Sequence, residues 1–142
     1  MISGTKEGVE NGASVLKENG AKRVMPLVVS GAFHSPLMKD AESAFAPFIK
    51  EAKIKKSDIQ LVMNVLGGPT EEIQDHLIAQ VTGSVRWEEG IRYMDGQGVE
   101  LFLEIGCGKT LNGMNRKIGV NGKTESLEKV SDLKAFGETL CN

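Results

Sequence analysis

The alternation of apolar, strand-like runs with amphipathic helices is the feature that most restricts how this chain can fold. Valine-, isoleucine- and leucine-rich runs predict strands, at residues 24–29, 59–66, 99–105 and 127–130. Apolar residues at helical spacing predict helices, at about residues 6–19, 35–52, 71–80, 84–96, 109–118 and 132–140. Strands that are joined through helices usually lie parallel. The pattern therefore predicts an α/β fold with a parallel sheet.

Capping residues support several of these helix boundaries. Thr5, Thr70 and Ser84 each precede a predicted helix and can accept hydrogen bonds from its first N–H groups. Ser35 is followed by Pro36, and proline suits the first helical position because it has no N–H to leave unpaired. Pro26 lacks the same donor, so we expect the strand that contains it either to lie at a sheet edge or to enter its sheet late.

Composition excludes several classes of protein. The 142 residues are 40% apolar and 25% charged, which is typical of a globular domain. A net charge of −2 and a pI near 5.7 argue against a nucleic-acid partner. No apolar run is long enough to span a membrane, and residues 1–10 have no signal-peptide core. Cys107 and Cys141 lack the spacing of a disulfide framework or a zinc site. We expect a cytoplasmic protein without a metal or cofactor.

The loop Ser-Gly-Ala-Phe at residues 30–33 presents His34 between a predicted strand and a predicted helix. Imidazole changes its charge near neutral pH, so a histidine held in this way can act as a base. A structural, hydrogen-bonding histidine fits the position equally well. Phe33 can form an apolar wall beside His34 or serve as a core anchor, and its position alone favours the anchor.

The sequence Gly106-Cys107-Gly108 also joins a strand to a helix. It resembles the turn that exposes a hydrolase nucleophile, but it is one residue shorter on each side than G-x-S-x-G. The full phosphate-loop motif is absent. Tight packing of strand on helix is therefore the preferred interpretation, and a thioesterase that uses Cys107 and His34 is an alternative. Iodoacetamide labelling of Cys107 and Cys141 would test it.

One predicted helix, at residues 71–80, carries the second histidine. His76 is adjacent to Asp75, which does not bring the two side chains to one helix face, so a solvated histidine is expected. Gln80 lies at the end of this helix, where backbone carbonyls are unpaired. Such a carbonyl can accept a proton from an imidazole.

Four segments together resemble the C-terminal half of bacterial malonyl-CoA:acyl carrier protein transacylases. They are Ile-Ser-Gly at residues 2–4, Val-Ser-Gly-Ala-Phe-His-Ser-Pro-Leu-Met at 29–38, Gln80 with Val-Arg-Trp at 85–87, and Glu-Ile-Gly-Cys-Gly-Lys-Thr-Leu at 104–111. The resemblance implies the C-terminal part of an α/β-hydrolase-like subdomain at residues 31–142. Residues 1–30 would then be the last helix and strand of a ferredoxin-like subdomain inserted into it.

The resemblance also implies a reaction. Enzymes of this family transfer a malonyl group from malonyl-CoA to a serine, and then to the phosphopantetheine thiol of acyl carrier protein, in fatty acid biosynthesis. By this resemblance His34 is the catalytic base, and the backbone carbonyl of Gln80 orients it. Phe33 would exclude an α-methyl branch and so favour malonyl over methylmalonyl groups. Ala32 and Cys107 replace residues that are often proline in the family.

The nucleophile that the resemblance implies is missing. No Gly-His-Ser-x-Gly occurs in the 142 residues, so we expect the chain alone to form no acyl-enzyme. A companion N-terminal half would be its partner, and without it apolar surface should be exposed and favour aggregation or dimerisation. A non-catalytic module that docks acyl carrier protein through Lys109, Arg116 and Lys117 is a further alternative.

Overall fold

A computed structural model describes residues 2–140, so Cys141 lies outside the described part of the chain. The chain divides into two compact units, Met1–Val85 and Arg86–Asn142. Of the helices within residues 2–140, none is both long and apolar enough to cross a bilayer. The predicted subdomain boundary near residue 30 stays a prediction.

The regular structure of the first unit is mainly helical, and long stretches between its helices have no regular structure. Its elements in chain order are α1 (Lys6–Glu18), a single 3₁₀ turn (Pro36–Met38) that leads into α2 (Lys39–Glu51), β1 (Val62–Met63), β2 (Gly68–Pro69) and α3 (Ile73–Ala79). β1 and β2 form an antiparallel pair, in which Val62 faces Pro69 and Met63 faces Gly68.

The predicted start and end of α1 are confirmed. The hydroxyl oxygen of Thr5 accepts the N–H of Gly8 at 3.1 Å. Gly20 ends the helix with φ +89°, and its N–H donates to the carbonyl of Lys17 at 3.1 Å. This left-handed conformation is one that glycine adopts without strain.

Three other capping predictions need correction. Ser35 precedes the 3₁₀ turn as expected, but its hydroxyl donates to the carbonyl of Ala32 at 2.7 Å and does not cap the helix. Thr70 lies three residues before the start of α3 and accepts the N–H of Glu72 at 2.9 Å. The helix predicted from Ser84 begins only at Trp87. Ser35 and Thr70 thus stabilise turns ahead of their helices, and the helix predicted from Ser84 starts three residues later.

The strand predicted at residues 24–29 is wrong for the described chain. This segment has no regular secondary structure and pairs with no strand among residues 2–140. Val28 is fully exposed, and the run predicted at 59–66 is paired only at Val62–Met63. A strand needs a neighbour to bond its N–H and C=O groups, and the apolar pattern alone does not provide one. The apolar side of α2 is exposed too, with Phe48 72% accessible.

Helices α2 and α3 are antiparallel and are linked at both ends. Near the end of α2, the Gln74 side-chain amide of α3 donates to the carbonyls of Ile49 at 2.8 Å and Ala52 at 3.1 Å. Near the start of α2, the hydroxyl of Thr82, just after α3, donates to the carboxylate of Glu42. These two links fix the position of α3 along α2.

The second unit contains the parallel sheet that the sequence predicts. Its elements are α4 (Trp87–Gly96), β3 (Leu101–Ile105), α5 (Thr110–Ile118), β4 (Lys123–Leu127) and α6 (Val130–Leu140). β3 and β4 are parallel and in register from Leu101–Lys123 to Ile105–Leu127, with α5 as the connection. The last strand was predicted at 127–130 and instead ends at 127. Ile91, Phe102 and Leu127 form the buried core of this unit.

A polar network that the sequence did not indicate lies between α5 and β4. Asn112 is buried, and its amide donates to the hydroxyl of Ser126 at 2.9 Å and accepts from Thr124 at 3.0 Å. Asn115 is also buried and accepts the indole N–H of Trp87 at 3.1 Å. Because these buried polar groups are hydrogen-bonded, they stabilise one arrangement of the helices and sheet.

Candidate active site

His34 makes two hydrogen bonds to the turn that follows α3. Its backbone N–H donates to the carbonyl of Val81 at 3.3 Å, and its ring Nδ1 lies 2.8 Å from the carbonyl oxygen of Gln80. A carbonyl can only accept, so Nδ1 carries the proton in this contact. In the neutral ring, Nε2 then has a free lone pair. The structure therefore brings together the two residues that the resemblance pairs, while their catalytic roles stay predictions.

The backbone of His34 has a left-handed conformation with φ 60°, which is the one positive φ at a non-glycine residue in the described chain. In this region the Cβ atom, which glycine lacks, comes too close to the following carbonyl oxygen. Such a conformation persists only when the surrounding contacts impose it, and it is common at functional sites.

Those contacts come from both sides of the loop. The hydroxyl of Ser3 donates to the carbonyl of Phe33 at 2.6 Å, and that of Ser35 donates to the carbonyl of Ala32 at 2.7 Å. Ser35 is buried. The two peptide groups that precede His34 are thus held by side chains, and its own N–H is held by the turn after α3.

The carbonyl of Gln80 is available because α3 ends at that point. Gln80 caps the helix, with its N–H bonded to the carbonyl of His76 at 3.0 Å. Gly83 lets the chain turn directly afterwards. A Cβ on Gly83 would lie 2.6 Å from the Val65 side chain and 2.9 Å from the carbonyl oxygen of Ala79.

The other candidates have more local roles. Phe33 is 47% exposed, so its interpretation as a core anchor is wrong for the described chain. His76 is half-buried, and its Nδ1 lies 2.7 Å from the carbonyl oxygen of Glu72 and 3.3 Å from the hydroxyl of Thr70. The expected solvated histidine is therefore a structural one.

The first turn of α5, directly after Gly106-Cys107-Gly108, bonds to the protein's own carboxylate. Glu104, at the end of β3, accepts the N–H of Asn112 at 2.8 Å and of Leu111 at 3.0 Å. These bonds hold the pKa of the Glu104 carboxyl below its ordinary value. Glu104 thus links β3 to the start of α5. The preferred interpretation, tight packing of strand on helix at the glycines, needs correction, because a Cβ on Gly106 or Gly108 would meet nothing within 4 Å and it is their positive φ that favours glycine.

Two alternatives involving this region stay untested. Cys107 is exposed, and its role in a thioesterase remains a prediction. Lys109, Arg116 and Lys117 are exposed, as a carrier-docking surface requires, but exposure is equally typical of an ordinary charged helix face.

Relatives of the chain share both its sequence and its fold. The malonyl CoA-acyl carrier protein transacylase of Bacillus subtilis is 39% identical over 143 aligned residues, covering 99% of this chain and 45% of the relative. The acyl-carrier-protein-S-malonyltransferase of Bartonella henselae has a TM-score of 0.85 at 34% identity, over 96% of this chain and 44% of that one. A malonyl-transacylase in complex with its type II PKS acyl-carrier protein gives 0.88 at 32% identity, over 96% and 45%. No protein-family model matches.

These relatives confirm the resemblance and the α/β class that the sequence predicts. The chain spans slightly less than half the length of the relatives it matches. It is therefore homologous to one part of the malonyl CoA-acyl carrier protein transacylases.

Proposed function

We propose that this chain supplies the general base of a malonyl transfer from malonyl-CoA to the phosphopantetheine thiol of acyl carrier protein. The reaction would pass through an acyl-serine and belong to fatty acid biosynthesis in the cytoplasm. The observation that supports the proposal is the 2.8 Å contact between His34 Nδ1 and the Gln80 carbonyl oxygen. The similarity to malonyl-transacylases supports this choice of substrates.

In the first half-reaction, Nε2 of His34 accepts the proton of the serine hydroxyl as its oxygen attacks the thioester carbonyl of malonyl-CoA. The C–S bond then breaks, and Nε2 returns the proton to the departing CoA sulfur. In the second half-reaction, Nε2 takes the proton of the carrier's thiol, the sulfur attacks the malonyl-serine ester, and the serine oxygen leaves with that proton. The imidazole is restored after each half.

The Gln80 carbonyl has two effects on this cycle. It fixes the neutral ring as the Nδ1–H tautomer, so that the lone pair lies on Nε2. It also stays bonded to the imidazolium and lowers the free energy of that cation by the interaction of its dipole with the charge. A carbonyl carries no full charge, so its main contribution is orientation.

The serine would come from a Gly-His-Ser-x-Gly elbow, which does not occur among these 142 residues. Alone, the chain is therefore proposed to bind no malonyl group covalently. The elbow would be supplied by a segment like the part of the relatives that this chain does not match.

The experiment combines this chain with the unmatched part of the Bacillus subtilis transacylase, by co-expression or fusion. Malonyl transfer from labelled malonyl-CoA to holo acyl carrier protein is measured. His34→Gln should lower the rate by about 10²–10⁴-fold, the usual contribution of a general base. His76→Gln is the matched control, since the described contacts of the His76 ring are to Glu72 and Thr70, which lie close to it in the chain.

An active combination in which His34→Gln leaves the rate unchanged would refute the proposed role. Serine-bound label on the chain alone would refute the proposed division of the site. Equal losses in His34→Gln and His76→Gln would point to a general effect on folding and contradict a specific base.

We further propose that Phe33 selects the malonyl group. Its exposed ring, next to the base, would clash with the α-methyl group of methylmalonyl-CoA, and a steric clash discriminates well between similar substrates. In the same combination, Phe33→Ala should raise the rate with methylmalonyl-CoA relative to malonyl-CoA. An unchanged ratio would show that Phe33 does not set the preference.

A further inference from the structure

We propose that Glu42 is a positioning residue for His34 and acts through the hydroxyl of Thr82. The inference rests on the proposed function only in calling His34 a base. The structural part is that a carboxylate on α2 holds the turn to which His34 is bonded. This part depends only on the observed contacts.

Glu42 is a buried charged residue on a helix whose aromatic side chains are largely exposed. It is 9% exposed, whereas Phe48 on the same helix is 72% exposed. Removing a carboxylate from water is unfavourable unless it is hydrogen-bonded or paired. Glu42 has both kinds of partner, since Lys39 forms an ion pair with one of its oxygens and Thr82 donates to the other. The Lys39 contact, and then the Thr82 bond, lower the pKa of the Glu42 carboxyl.

Thr82 follows directly after the two carbonyls that His34 uses. Gln80 accepts from its ring and Val81 from its backbone N–H. His34 in turn lies just before the helix that carries Glu42. The contacts therefore form a closed loop, from His34 along α2 to Glu42, across to Thr82, and back through the carbonyls to His34.

This closed loop determines the distance from His34 to the Gln80 carbonyl. N–H···O hydrogen bonds typically have donor–acceptor distances of about 2.7–3.2 Å, and they weaken steeply when the angle at the hydrogen falls below about 120°. Without the Thr82 bond, the turn after α3 has no side-chain link to the start of α2 among the described contacts, although Gln74 still joins the far ends of the two helices. We expect the carbonyl to move away from Nδ1.

The experiment follows the His34 ring in the ¹⁵N-labelled chain by NMR, with no substrate present. A ring N–H that is bonded to a carbonyl is protected from exchange with water and gives its own signal. His76→Gln assigns the two histidines. Thr82→Val removes the donor but keeps the branched shape, and should abolish the His34 Nδ1–H signal. Thr82→Ser keeps the hydroxyl and should restore it.

Two further comparisons separate positioning from general packing. Glu42→Gln retains an oxygen that accepts from Thr82 and should keep the signal, whereas Glu42→Leu should lose it. Gln74→Ala breaks the distant link between the same helices and should leave the signal intact. If Thr82→Val does not fold, the Glu42 pair decides the proposal.

Retention of the signal in Thr82→Val or Glu42→Leu would overturn the inference, as would an equal loss in Gln74→Ala. The result is independent of the transfer assay. If His34→Gln leaves transfer unchanged while Thr82→Val still abolishes the ring signal, the proposed function fails and the positioning role stands.

Discussion

The left-handed backbone of His34 predicts an inverted stability order for two simple substitutions. At most positions alanine is more stable than glycine, because glycine has more conformations to lose on folding. At φ 60° the order should reverse. His34→Gly should therefore be more stable than His34→Ala.

The magnitude follows from two opposing terms. Both variants lose the ring contact with Gln80, so that contribution cancels from the comparison. A non-glycine residue in the left-handed region costs about 1–2 kcal/mol. The greater freedom of glycine in the unfolded chain offsets about 0.4–1 kcal/mol of this. We expect His34→Gly to exceed His34→Ala by about 0.5–1 kcal/mol in the free energy of unfolding.

The assay is urea unfolding of both variants, followed by circular dichroism. Ser14 provides the control, since it lies on the exposed side of α1 in the same unit. Its hydroxyl bond to the Glu10 carbonyl is lost equally in Ser14→Gly and Ser14→Ala. There alanine should be the more stable by about 0.5–1 kcal/mol.

The difference in unfolding free energy between the glycine and alanine variants should thus have opposite signs at His34 and Ser14. If His34→Ala is as stable as His34→Gly, or more so, the loop imposes no strain on His34. The surrounding contacts would then not be holding His34 in a costly conformation.

Four substitutions in the second unit give three further predictions, each measured as a urea midpoint. Gly122→Ala would put a Cβ 2.5 Å from the carbonyl oxygen of Val99, so it should destabilise by about 1–3 kcal/mol. In α5, a Cβ on Gly113 would meet no atom within 4 Å, so Gly113→Ala should stabilise by about 0.5–1 kcal/mol. Equal effects of Gly122→Ala and Gly113→Ala on stability would contradict this contrast. Ile91→Ala, at a residue 2% exposed, should cost about 2–5 kcal/mol, and no measurable loss would refute its place in the core. The pKa of Glu104 is lowered on folding, so its contribution is present above the ordinary value of 4.5 and is lost as pH falls through the folded pKa. Glu104→Gln should reduce this acid sensitivity, and an unchanged pH profile would contradict it.

Features determined by nearby residues could be predicted from the sequence. The start of α1 at Thr5 and its end at Gly20 depend on side chains within one turn. The β3–α5–β4 unit also follows from local patterns, since apolar runs flank an amphipathic helix. The position predicted for its last strand, 127–130, is wrong. The strand covers residues 123–127, whose side chains are mostly polar and so do not indicate a strand.

Features that depend on distant partners could not be predicted in this way. The run at 24–29 has strand composition, but no neighbour bonds it within the described residues. The Glu42–Thr82 bond joins residues 40 apart, and neither residue type indicates the other. The pairing of His34 with Gln80 came from the family resemblance, because spacing alone offered only an unpaired carbonyl at a helix end.

The contacts around His34 also have a consequence for the time course of folding. They join residues 30 and 46 positions apart in the chain, whereas α1 and α2 need only local bonds. Helices form within about a microsecond, while contacts between distant residues must first close long loops at an entropic cost. The His34 ring should therefore reach its native environment only after the helices have formed, which makes it a spectroscopic probe of the last step in the assembly of the first unit.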